Sequence, residues 1–174
     1  MWGRFCLVGV LLAFAQDASA QGAINVGVGY HWLRVDEANL PAGVSVDLDV
    51  KWSQEWSLVA SIDQARGDSM EFGFSRATRA TALGGGVRYA PFPRRRLRPF
   101  AQALVGIEDY HVRVDPFGTN AERQMFLQPG GGLTIAIGPR LGAFVQGGWR
   151  MARRELNDDH GLWLTSGGFV VLRR

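Results

Sequence analysis

Beyond its first twenty residues the chain has no long apolar run, so no part of it is expected to cross a membrane as a helix. It has one cysteine, Cys6, inside a segment that reads as a removable leader. After that removal neither a disulfide nor a thiolate metal site is possible. Charge is also scarce: the formal net charge is +3, and losing Arg4 and Asp17 with the leader leaves it unchanged. That balance is too weak to imply a polyanionic partner, so no nucleic acid is expected. Glycine is plentiful at 23 residues but follows no fixed period, which excludes collagen and solenoid architectures.

The leader is residues 1–20. Arg4 supplies the positive start, Phe5 to Ala15 a short apolar run, and Ala18-Ser19-Ala20 the small-x-small cleavage pattern before Gln21. The apolar run is too short to anchor the chain, and no lipoprotein box precedes Cys6. About 150 residues then remain, enough for one domain, 21–174.

Within that domain apolar and small or polar residues alternate. Ile24, Val26, Val28, Tyr30 and Trp32 share one face of an extended segment, and Asn25, Gly27, Gly29 and His31 share the other. Eight such stretches are expected as strands, at 24–33, 44–52, 56–64, 77–90, 100–110, 124–137, 141–151 and 162–172. Tight connections at Ser53-Gln54-Glu55 and Gly138-Pro139-Arg140 alternate with longer polar ones at 34–43, 65–76, 111–123 and 152–160. Only Pro91–Pro99 is longer than its place among the short turns suggests. This short-and-long alternation puts the long connections at one end of an up-and-down barrel.

The charged strand residues indicate which face points inward. Asp47, Asp49, Lys51, Asp63, Arg88, Glu108 and Arg150 all lie on the polar face with many of the glycines. In a narrow barrel, groups of nearly balanced sign can pair across the interior as an ion network, whereas in a sandwich core they would be costly. The apolar face then meets lipid. Trp52, Trp56 and Tyr89 near the short-turn end, and Trp32 and Trp149 near the other, are placed as two interfacial belts. The expected fold is therefore all-β: an eight-stranded antiparallel up-and-down transmembrane β-barrel. The rival is a soluble secreted barrel of lipocalin type, with the apolar face inside around a ligand.

Gly84-Gly85-Gly86-Val87-Arg88-Tyr89, followed by Arg96-Leu97-Arg98-Pro99-Phe100-Ala101, resembles a hairpin of the small outer-membrane β-barrel family (OmpA/OmpX-like). Pro129-Gly130-Gly131-Gly132-Leu133, turning at Gly138-Pro139-Arg140 into Leu141-Gly142-Ala143-Phe144-Val145, is similar to that family's next hairpin. The resemblance covers the whole domain. It implies export to the outer membrane, delivery by periplasmic chaperones and barrel-assembly machinery, and a monomer surrounded by outer-membrane lipid. It also implies a structural or surface-interaction role, with no wide pore and a partner outside the cell met through the long loops. Members commonly close their last strand on an aromatic residue; here Gly167-Gly168-Phe169-Val170-Val171-Leu172 runs into Arg173-Arg174 instead, a different end signal.

Catalytic and metal readings are weak. His31, His111 and His160 lack metal-ligand spacing. Some barrels of this family modify lipid using a histidine paired with a serine and an acid, but here His160 and Ser166 stand six apart. No catalytic, cofactor or metal residue is therefore assigned. Glu155 with Asp158-Asp159, and Arg94-Arg95-Arg96, read as solvated loop charges, the arginines as a contact for anionic lipid or a periplasmic component.

Overall fold

Strict alternation makes extended backbone the only conformation that separates the two kinds of side chain, and the chain is strand almost throughout. The computed structural model describes residues 23–35, 38–71, 74–115, 118–153 and 158–173; the leader lies outside them. Among these residues nine strands follow in order: β1 (Ile24–Val35), β2 (Ala38–Leu40), β3 (Ala42–Lys51), β4 (Trp56–Glu71), β5 (Phe74–Tyr89), β6 (Leu97–Val114), β7 (Gly118–Ala136), β8 (Leu141–Arg153) and β9 (Asp158–Arg173). Each long strand pairs antiparallel with its neighbour in sequence, and β1 pairs with β9 from Val35↔Gly161 down to Ile24↔Arg173. That last ladder closes eight strands into a barrel. The ninth strand, β2, is a three-residue addition on the upper end of β1.

Strand lengths differ from the sequence expectation at the long-loop end. Residues 65–71, 74–76, 111–114 and 118–123 are strand, not loop. β4 and β5 stay paired to Glu71↔Phe74, and β6 and β7 to Val114↔Gly118. Arg66, Asp68, Arg76 and Arg113 broke the apolar pattern that marked strand, but backbone ladders need no apolar side chain to continue. The connection 34–43 likewise folds back as β2, seating Leu40 against Leu33 and Val35. At the other end the connections are short: Trp56 N–H donates to Ser53 Oγ at 3.0 Å, and Ile137 N–H to the Leu141 carbonyl at 3.0 Å. Within β7, Pro129 has no N–H to offer, and the ladder to β8 skips from Leu127↔Met151 to Gly130↔Gly148.

Interior glycines and interior aromatics come in pairs. The Phe126 ring lies where side chains on Gly84 and Gly106 would stand, Trp163 over Gly130, Phe100 over Gly132, and Phe144 over Gly27 and Gly29. A barrel of eight strands is too narrow for large groups at every inward position, so each ring takes the volume its neighbour leaves empty. Elsewhere backbone itself is close: a Cβ on Gly86 would run into the Ala103 carbonyl. Gly86→Val should therefore destabilise the barrel by about 1–3 kcal/mol, read as a lower urea midpoint in detergent. Gly138→Ala, where a Cβ meets nothing within 4 Å, is the matched control and should leave the midpoint in place.

Candidate functional site

The charged interior is built by the inward positions of β3 to β8, which strand geometry repeats every second residue. Nearest the short turns, Arg88 on β5 reaches across to Asp49 Oδ2 at 3.0 Å and donates to Gln102 Oε1 at 2.8 Å and Gln146 Oε1 at 3.2 Å. Gln146 in turn donates to Asp47 at 2.9 Å, and Ser57 donates to Asp49 at 3.1 Å. Farther up, Arg150 on β8 donates to Asp63 at 2.9 Å, Glu108 at 3.0 Å and Gln128 at 2.7 Å, and Gln124 donates to Glu108 at 3.3 Å. Arg150 is 2 % exposed and Glu108 1 %. Each guanidinium also lies on an interior ring, Arg88 on Phe100 at 4.3 Å and Arg150 on Phe126 at 4.8 Å. Each of those rings rests on glycine.

The seven charged residues marked in the sequence thus fall into two clusters rather than one network. Asp47, Asp49 and Arg88 belong to the lower cluster; Asp63, Glu108 and Arg150 form the upper. Lys51 lies on the wall of a vestibule of about 290 Å³ at the short-turn end, together with Arg98, Phe100 and Phe169. Four glutamines complete the clusters: Gln102, Gln124, Gln128 and Gln146, all buried. Their amides bond to the charged groups. The signal for Gln128 and Gln146 was their place on the inward face.

The interior is not polar throughout, which corrects the simple division of faces. Toward the long-loop end Leu33, Val35, Leu40, Ala65, Ala80, Tyr110 and Trp163 pack together, and Val59, Ala82, Leu104, Phe126 and Ala152 form a second apolar group. Trp163 occupies an inward position on β9 and Leu104 one on β6. There both faces carry apolar groups, so hydropathy alone could not separate them.

His31 is buried and shares a 2.8 Å hydrogen bond with Thr165, its cross-strand neighbour, with Trp163 stacked alongside. His160 and Ser166 are not brought together: they sit on the same outward face of β9, about 20 Å apart along the strand. Among the described residues no group of His, Cys, Asp and Glu is arranged to hold a metal. Glu155 and the side chains of Asp158 and Asp159 lie outside the described parts of the molecule. Arg94, Arg95 and Arg96 are exposed in the connection from β5 to β6.

The outward face is apolar over the middle of every long strand, with Val28, Val46, Leu58, Leu83, Val105, Leu133, Val145 and Leu164 all exposed. At the short-turn end Trp52 stacks on Trp56 at 6.3 Å, and Trp56 meets Tyr89 at 4.8 Å. At the other end Trp149 is exposed, and Trp32 donates from Nε1 to Asn39 at 2.8 Å. A lipocalin-like barrel requires the reverse sidedness, with apolar groups inside and charges out. A closed sheet with this many exposed aliphatic side chains and sealed carboxylates matches a lipid surround.

No family model matches the chain, and no curated protein does. Solved structures do share its architecture. The neisserial surface protein A superposes with a TM-score of 0.66 at 9 % identity, covering 86 % of this chain and 96 % of that one. A major outer membrane protein from Thermus thermophilus gives 0.64 at 12 %, covering 87 % and 100 %. Ail, the attachment invasion locus protein of Yersinia pestis, solved with the heparin analogue sucrose octasulfate, gives 0.55 at 15 %, covering 85 % and 97 %. The fold is that of the small outer-membrane β-barrels. In an outer-membrane barrel the short turns face the periplasm and the longer hairpins the exterior. Under that orientation the β4–β5 and β6–β7 extensions would lie at the exterior end and the Lys51 vestibule at the periplasmic end.

Proposed function

We propose that the protein is a monomeric outer-membrane barrel whose role is structural or surface-interactive, carried by its outer hairpins rather than by transport or catalysis. The observation that carries this reading is sidedness: exposed aliphatic side chains surround the closed sheet, while paired charges occupy its interior. Supporting a lumen without a useful pore are the buried Arg88 and Arg150 clusters and the apolar packing of Leu33, Leu40, Tyr110 and Trp163 above them. Outer-membrane lipid is its surround, with Trp52, Trp56, Tyr89, Trp32 and Trp149 at the two lipid–water boundaries. Periplasmic chaperones and the barrel-assembly machinery deliver it, and the hairpins around Glu71 and Val114 meet a partner outside the cell.

The reading is tested by fractionation of a tagged protein. It should sediment with outer membranes, require detergent for extraction, and migrate differently on gels before and after heating. Recovery as a periplasmic protein that stays soluble without detergent would overturn it.

A further inference from the structure

The apolar band ends, toward the exterior, at two arginines on neighbouring strands. Arg66 on β4 stands directly opposite Arg79 on β5, and Arg79 directly opposite His111 on β6; all three are exposed and point outward. Like charges placed opposite each other across a ladder repel. Two other exposed arginines are neutralised, Arg123 by Asp109 at 2.6 Å and Arg113 by Asp115 at 3.1 Å. Among the described residues, Arg66 and Arg79 have no salt bridge, Asp68 one outward position above Arg66 included. Arg79 is held in place by Gln64: with the amide oxygen turned toward it, Gln64 accepts from Arg79 Nε at 3.2 Å.

Below the pair lies a shallow depression of about 480 Å³ on the outer wall, bounded by both arginines and Gln64 above and by Tyr30 and Val44 on the apolar side. A site with two forked cations at the top of an apolar wall, at the height where bilayer gives way to water, is complementary to one kind of molecule. Its acyl chain would run down past Tyr30 and Val44, and its doubly charged phosphate would sit between the guanidinium groups. Arginine suits this better than lysine because its planar fork can give two parallel hydrogen bonds to a phosphate. Lys51 is the only lysine in the chain.

We propose that Arg66 and Arg79 form a binding site for the phosphate of a phosphomonoester lipid in the outward-facing leaflet, with the Tyr30–Val44 depression taking the adjoining acyl chain. The proposal rests on the barrel spanning a membrane, and its test separates the two.

The protein, folded in neutral dodecyl maltoside micelles, is titrated with dioleoyl phosphatidic acid and, separately, with dioleoyl phosphatidylcholine, and bound lipid is counted by native mass spectrometry. Phosphatidic acid should be retained in preference, and Arg66→Gln/Arg79→Gln should weaken it by about tenfold. The same change at Arg113 and Arg123, exposed but already paired with Asp115 and Asp109, should have no effect. Unchanged heat-dependent migration of the double variant shows that the barrel still folds. Equal retention of the two lipids by a folded barrel overturns this inference alone, as does full displacement by millimolar inorganic phosphate, which would make the site one for free phosphate. A protein that folds and stays soluble without detergent would instead remove the membrane reading beneath it.

Discussion

Arg150→Met is expected to destabilise the barrel by about 3–5 kcal/mol, because it leaves two buried carboxylates without their shared cation. Arg150 joins Asp63 on β4 to Glu108 on β6 from its own place on β8, so it braces the interior from three strands. Methionine matches much of its length but offers no donor, and neither carboxylate can turn to water from its buried position. The measurement is the urea midpoint of tryptophan fluorescence in detergent, beside the wild type. Neutralising the orphaned partners supplies the control: Arg150→Met/Asp63→Asn/Glu108→Gln should recover most of the loss. A single variant as stable as the wild type would mean that the upper cluster does not brace the fold. Failure of the triple variant to recover would mean that the loss comes from packing against Phe126 instead.

Val105→Arg is expected to cost about 2–4 kcal/mol in a lipid bilayer. Val105 lies midway along β6 between Gly85 and Leu127, and is 58 % exposed. At so open a position on a soluble protein the same change would move stability by no more than about 0.5 kcal/mol. In the hydrocarbon core the guanidinium loses its water, and its reach to either interface is longest from the middle of the strand. Thr119→Arg, on the exposed upper part of β7 beyond the apolar band, is the comparison and should be nearly neutral. Equal stabilities for the two variants, measured by unfolding from vesicles, would contradict a lipid-facing outer wall.

Much of the barrel was legible residue by residue. Asp47 and Asp49 against Val46 and Leu48 on β3, or Ser61 and Asp63 against Ala60 and Ile62 on β4, declare their faces within a few positions. Such local contrast failed in two situations. Around Arg66 to Met70 and Arg76 the alternation lapsed while the hydrogen-bonded ladder went on, so strand was read as loop. Around Leu33, Leu104 and Trp163 both faces were apolar, so the upper core was missed. The glycines at 84, 130 and 132 marked close packing, but not which rings filled the space, because Phe126, Trp163 and Phe100 come from other strands.

The sequence by itself determined the two-faced strands, the short turns and the shared face of Asp47, Asp49, Lys51, Asp63, Arg88, Glu108 and Arg150, since all of these follow from a two-residue period along one backbone. The tertiary structure alone decided which interior groups meet. Arg150 finds Asp63 87 positions away and Glu108 42 positions away, and Gln146 reaches Asp47 across 99. These partners belong to strands that are not neighbours in the sheet and touch only across the lumen. Closure of β1 on β9, with the stagger of each ladder, sets the height at which each side chain enters that space. The division into two ion clusters, with apolar packing above them, is a consequence of that closure and has no counterpart in the local pattern.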